Sequence, residues 1–116
     1  MIEGISAVTL LTRDMAAAVA FYSALGFRLK YGGTGASFTS FFAGTGFVNL
    51  SQAGHDGPGS FGGRVIFYVA DVDAQHAQAV QAGLAPAFSP RDASWGDRYF
   101  HIVDPDGHEL SFARPL

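Results

Sequence analysis

Two stretches of this chain repeat each other at a constant offset of 57 residues. Val8 falls on Val65, Leu10 on Phe67, Asp14 on Asp71 and Gly26 on Gly83. Each repeat opens with a run of β-formers. An Asp able to cap a helix follows, then eleven residues rich in Ala, then a Gly where helices end in the left-handed conformation. In the first helix Met15, Val19, Tyr22 and Leu25 recur at helical spacing. Self-similarity of this kind means two copies of one supersecondary unit. Few folds accommodate it in 116 residues.

The remainder of each repeat predicts strands. In the first, Ile5–Leu11 forms the opening strand, with Ile5, Val8 and Leu10 facing a core, and Phe27–Tyr31 follows the helix. Ser37–Phe42 and Phe47–Ser51 then flank Ala-Gly-Thr-Gly as a hairpin. In the second, Arg64–Val69 precedes the helix, capped by Asp71 or Asp73. Pro86 and Pro90 bracket a short extended piece, and the closing hairpin pairs Tyr99–Val103 with His108–Ala113 around Asp104-Pro105-Asp106-Gly107. Pro and Gly in that order suit such a turn. Alternation puts Phe100, Ile102, Leu110 and Phe112 on a core face, and Tyr99, His101, Glu109 and Ser111 on the other.

The expected fold is therefore α+β, a single domain over 1–116. Module one spans about 4–52 and module two about 64–114, joined by the glycine-rich linker 53–63. Each module is βαβββ. Together they form a curved mixed sheet with a concave cup and helices on the outer face. One helix covers one sheet face, so the cup must be filled by the other module, a ligand or a second subunit.

Composition narrows the function. Cysteine is absent, which excludes disulfides, zinc–thiolate sites and thiol nucleophiles. Seven basic against ten acidic residues, with no basic run, argue against nucleic acid and anionic membranes as partners. No apolar stretch reaches spanning length and no signal-peptide pattern opens the chain, so a cytoplasmic protein is expected. Eleven Phe, four Tyr and one Trp stand beside only 15% charged residues. That aromatic excess points to a lined pocket or an oligomer interface, and a homodimer is expected.

Three segments, VTLLTRDMAAAVAFYSALGF, FYVADVDA and WGDRYFHIVDPDGHELSFARP, together resemble the glyoxalase / bleomycin-resistance protein / extradiol dioxygenase superfamily, the vicinal oxygen chelate fold. The resemblance extends over nearly the whole chain. It implies a small-molecule site inside the cup, and in metal-dependent relatives four His or Glu ligands there. Carried over residue by residue, those positions fall on Ala7, on Asn49 to within about one residue, on Arg64 and on Ser111. Ala cannot coordinate, Arg cannot be deprotonated, and Ser and Asn are poor ligands, so neither a metal nor a cofactor is expected. In relatives a Trp-Gly-x-Arg segment edges the pocket, and here it is Trp95 to Arg98.

The resemblance leaves two readings. The first is a metal-independent protein binding a planar, aromatic or antibiotic-like molecule, similar to the bleomycin-resistance branch. Trp95, Tyr99, Tyr68, Phe38 and Phe47 would stack on the ligand, and Arg64, Arg98, His101, Asn49 and Ser111 would orient it. The second is a glyoxalase-like lyase or isomerase, or a dioxygenase-family enzyme, with an atypical metal site or acid/base chemistry by His101 or Glu109. Arg98 has a competing structural reading as an ion pair with Asp92 or Asp97. His55, His76 and His108 read as surface residues.

Overall fold

The computed structural model describes residues 1–54, 59 and 62–116, so His55 lies outside the described residues. The first module consists of β1 (Ala7–Thr12), α1 (Met15–Ala24), β2 (Arg28–Tyr31), β3 (Phe38–Ala43) and β4 (Gly46–Gln52). The second consists of β5 (Arg64–Tyr68), α2 (Val72–Gln81), β6 (Arg91–Asp92), β7 (Asp97–Val103) and β8 (Glu109–Pro115). Each module makes its own four-stranded mixed sheet, ordered β1-β4-β3-β2 and β5-β8-β7-β6. In both, the first strand pairs in parallel with the last and the remaining pairs are antiparallel.

The duplication extends to individual hydrogen bonds. The Asp14 carboxylate accepts from the Ala17 amide and that of Asp71 from the Ala74 amide, each capping its helix. Both helices then close in the same Schellman arrangement. Phe27 N donates to Tyr22 O and Gly26 N to Ser23 O, and in the second module Leu84 N donates to Ala79 O and Gly83 N to Val80 O. Gly26 and Gly83 have φ of +95° and +83°, a region that disfavours side chains, which is why glycine stands at both positions.

One core serves both modules. From the first it takes Leu10, Met15, Ala18, Phe21, Tyr22, Leu25, Phe41, Val48 and Leu50. From the second it takes Val72, Ala79, Phe100, Ile102, Leu110 and Phe112. Phe27, just past α1, joins them, its ring 5.0 Å from that of Phe67 and 6.3 Å from that of Phe112. Polar bolts cross the same boundary. Tyr22 Oη donates to Asp104 Oδ2 at 2.7 Å, the Arg13 amide to Asp106 Oδ1 at 2.9 Å, and Gln75 Nε2 to Leu25 O at 2.6 Å. The helix-covered faces of the two sheets thus meet in a shared interior, and each sheet turns its other face away from it.

Two expectations are corrected. Ile5 is 81% exposed rather than part of the core, because sheet pairing begins only at Ala7 opposite Phe47. His108 is buried at 2% exposure, not superficial. It follows the closing turn at the module boundary, and its Nε2 reaches the Leu11 carbonyl at the end of β1, 2.8 Å away.

Candidate functional site

Side chains alternate across a strand, so the pairing registers decide which residues share the uncovered faces. On the second sheet, His101 lies opposite Ser111, Tyr99 opposite Ala113, Arg64 opposite Glu109 and Ile66 opposite Ser111. Tyr99, His101, Glu109, Ser111, Arg64, Ile66 and Tyr68 therefore occupy one face. The first sheet presents Ala7, Thr9, Phe47, Asn49, Phe38, Ser40 and Phe42 in the same way.

The centre of the second face is a charged chain of three. Glu109 Oε1 lies 3.0 Å from His101 Nδ1, and Glu109 Oε2 lies 3.1 Å from Arg64 Nη2. A carboxylate only accepts, so His101 donates from Nδ1, and in the neutral ring Nε2 keeps a lone pair. Burial is the main force holding the His101 pKa below its ordinary value. The Arg64 charge adds to it, and together they outweigh the opposing pull of Glu109.

This shift has a direction that can be tested. The unfolded chain takes up a proton near 6.5 whereas the folded His101 resists it, so proton uptake favours unfolding. His101 therefore leaves stability untouched above pH 6.5 and removes it progressively as pH falls from 6.5 toward the lower folded value. Denaturant titrations across this window should show a shallower loss in His101→Gln than in wild type. An equal slope in the two proteins would contradict the assignment.

Beside His101 stands an aromatic cluster centred on Tyr99. Its ring lies 5.1 Å from Trp95, 5.4 Å from Phe88 and 5.1 Å from His101. Tyr99 is buried while Trp95 is 66% exposed, so Trp95 forms the open lip of the cluster. Arg91 lies over it, with Cζ 3.8 Å from the Phe88 ring centre and Nε donating to Tyr99 Oη at 3.2 Å. On the first sheet, Arg28 lies 4.4 Å over Phe42 and Lys30 4.0 Å over Phe47, while Tyr31 stacks on Phe38. Asn49 Nδ2 donates to Thr9 Oγ1 at 3.3 Å.

Arg98 is placed elsewhere. It shares the helix-covered side of β7, where Asp73 takes its Nε and Nη2 at 3.1 and 2.8 Å and Asp92 takes its Nη1 at 3.0 Å. These hydrogen bonds, that of Asp73 first, raise the Arg98 pKa and lower that of Asp73. Its guanidinium is engaged from both ends, on the side away from Tyr99 and His101. Phe88 and Arg91 were not singled out in the sequence. The segment APAFSPRD has no periodicity, and Arg91 and Asp92 make only a two-residue strand, so no spacing signal marked them.

The four positions that the resemblance assigns to metal ligands divide between the sheets, Ala7 and Asn49 on one, Arg64 and Ser111 on the other. None of them lines the cavity of about 440 Å³ between the modules, which is bounded by Leu25, Phe27, Phe42, Ile66, Tyr68 and Phe112 among others.

Comparison with known proteins accounts for this architecture. The profile of the glyoxalase/bleomycin resistance protein/dioxygenase superfamily matches residues 4–112. The chain belongs to this superfamily. A glyoxalase family protein from Bacillus anthracis superposes with a TM-score of 0.84 at 18% identity, covering 100% of this chain and 98% of that one. TioX from a Micromonospora species superposes at 0.76 with 27% identity, over 98% of this chain and 100% of that one. An uncharacterised protein of Mycobacterium bovis is 39% identical over 62 residues, which is 51% of this chain and 41% of that protein. The match thus spans less than half the length of that relative.

For this superfamily member, the donor set can be tested against a divalent ion. Arg64 is a permanent cation held by Glu109, and the Asn49 amide is turned to Thr9. Arg64 offers no lone pair, Ala7 has no donor atom, and the Asn49 amide oxygen and Ser111 hydroxyl are neutral, weak ligands for a divalent ion. Among the described residues no three of His, Asp and Glu converge. The residues present do not fit the superfamily's metal. No helix among the described residues is long and apolar enough to cross a membrane.

Proposed function

We propose that this protein binds a planar small molecule without a metal ion, in the manner of the bleomycin-resistance branch of its superfamily, and does so as a homodimer. The observation that carries the reading is the contrast between the ligand positions and their surroundings. Ala7, Asn49, Arg64 and Ser111 make a poor metal site, yet the faces around them carry Phe38, Phe47, Tyr68, Trp95 and Tyr99. Tyr68 and Trp95 are 67% and 66% exposed and Phe38 and Phe47 are half-buried, and such exposed aromatic surface suits a flat ligand. Ile66 and Tyr68 remain 61% and 67% exposed in one chain, which supports a second copy completing each cup.

In this reading Trp95, Tyr99, Tyr68, Phe38 and Phe47 supply stacking, while His101, Arg64, Asn49 and Ser111 orient the ligand. Arg98 is left out, because Asp73 and Asp92 already hold it on the other side of the strand. Calorimetric titration with a panel of planar aromatic antibiotics should find a binder, and Trp95→Ala should lower its affinity by about tenfold or more. Arg98→Ala should leave it unchanged. An empty panel, or a Trp95→Ala variant that binds as wild type does, would sink the reading.

A second reading rests on the His101–Glu109 contact of 3.0 Å. A neutral imidazole oriented by a carboxylate is a competent general base, and it suits a lyase or isomerase step that needs no metal. Metal analysis of protein purified without chelator separates both readings from a conventional superfamily enzyme. A stoichiometric divalent ion would overturn the metal-free premise.

A further inference from the structure

We propose that the ligand is an anion, a planar aromatic carboxylate, and that Arg91 is the residue that recognises its charge. This rests on the aromatic-cup reading above and adds to it the ligand's chemical class.

The chain has a formal net charge of −3, yet its uncovered sheet faces are not acidic. The first sheet carries Arg28 and Lys30 there, each seated on an aromatic ring, and the strands of that sheet contain no Asp or Glu. The second carries Arg64 and Arg91 against Glu109 and, by alternation along β7, Asp97. Most remaining carboxylates sit elsewhere, as helix caps at Asp14 and Asp71, in the closing turn at Asp104 and Asp106, or on Arg98 at Asp73 and Asp92. The two uncovered faces together therefore carry four cations against two acids, although the chain is acidic overall. Such a distribution repels a cationic ligand and attracts an anionic one.

Arg91 is the cation best arranged to exploit this. Among the described residues no carboxylate pairs with it, whereas Arg64 is taken by Glu109 and Arg98 by two aspartates. Its Nε is spent on Tyr99 Oη, and its Cζ is held 3.8 Å from the Phe88 ring centre. The guanidinium is thereby pre-oriented, and its two terminal nitrogens remain available to fork a carboxylate. The ring of Trp95 touches the same Tyr99, so a flat aromatic acid can stack on Trp95 while its carboxylate reaches Arg91. A neutral ligand would gain the stacking and forgo the fork.

Trp95 is the only tryptophan in the chain, so its fluorescence reports on this cluster alone. Three probes of one shape separate charge from stacking: naphthalene-2-carboxylate, naphthalene-2-carboxamide and 2-naphthylmethylammonium. The full-length wild-type protein should bind the carboxylate at least about tenfold more tightly than the amide, with the ammonium weakest. Arg91→Gln should bring the carboxylate down to the amide's affinity while leaving the amide unchanged. Arg91→Lys, which keeps the charge but not the fork, should fall between them. Added salt should weaken the carboxylate only. Equal binding of carboxylate and amide, or an Arg91→Gln variant that still prefers the acid, would overturn the proposal and leave the aromatic cup standing. Failure of all three probes, with wild-type Trp95 fluorescence unmoved by any planar ligand, would overturn the cup itself.

Discussion

Asp104→Ala is expected to lower the unfolding free energy by about 3–4 kcal/mol, close to the limit of what a polar substitution does. The carboxylate is only 4% exposed. One oxygen accepts from the amides of Asp106 and His108, both at 2.9 Å, and the other accepts from Tyr22 Oη at 2.7 Å. Two of these bonds shape the turn between β7 and β8, and the third ties that turn to α1 of the other module. Burial, with the Asp104 charge behind it, pushes the Tyr22 hydroxyl above its ordinary pKa, so it stays a donor at any usable pH. Tyr22→Phe is the informative partner. It removes one bond and leaves the turn intact, so its effect should be about 1–2 kcal/mol. Denaturant unfolding of the two single variants and the double variant measures the coupling directly. If Asp104→Ala cost no more than Tyr22→Phe, the turn would not depend on the carboxylate.

Phe112→Ala should be as damaging, at about 3–5 kcal/mol. Phe112 is 2% exposed, and its ring meets Phe100 at 5.4 Å, Phe67 at 5.5 Å and Phe27 at 6.3 Å. Phe27 comes from the first module and the others from the second, so removing the central ring loosens the joint between them. The site also borders the cavity of about 440 Å³, so the space left behind merges with an existing void instead of collapsing. Phe112→Leu should cost less, since most of the volume is kept. Val80→Ala, on the outer face of α2 at 52% exposure, should change stability by less than about 0.5 kcal/mol. Denaturant midpoints for the three variants check the ranking, and a Phe112→Ala protein as stable as Val80→Ala would refute the placement of the core.

Much of this was legible before any coordinates. The offset of 57 residues located both helices, their Asp caps and their closing glycines, because these are local devices with fixed spacing. Strand alternation sorted Phe100, Ile102, Leu110 and Phe112 from Tyr99, His101, Glu109 and Ser111, because a period of two depends only on the backbone. The structure extends the same alternation to the first sheet, with Phe38 and Phe47 on the uncovered face and Phe41 in the core.

What escaped the sequence has one cause. Tyr22 and Asp104 are 82 residues apart, and Leu11 and His108 are 97 apart. Local spacing has no information about which residues meet across a module boundary. His108 was read as superficial for that reason, and the closing turn as a corner alone. Arg91 shows the same limit within a single module. Alternation along β7 already separates Arg98 from Tyr99 and turns it to the helix side, against Asp73. Only the pairing of β6 with β7 brings Arg91 opposite Tyr99 and over Phe88.

The sequence by itself determined the two modules, their caps and the core face of the closing hairpin. Those are properties of residue identity and near-neighbour geometry. The tertiary structure alone decided that the helix-covered faces share one interior, that Asp104 bolts it, and that Glu109 is spent on Arg64 and His101 while Arg91 keeps its terminal nitrogens available. Each of these depends on distances between segments remote in the chain, and those distances exist only once the modules have packed.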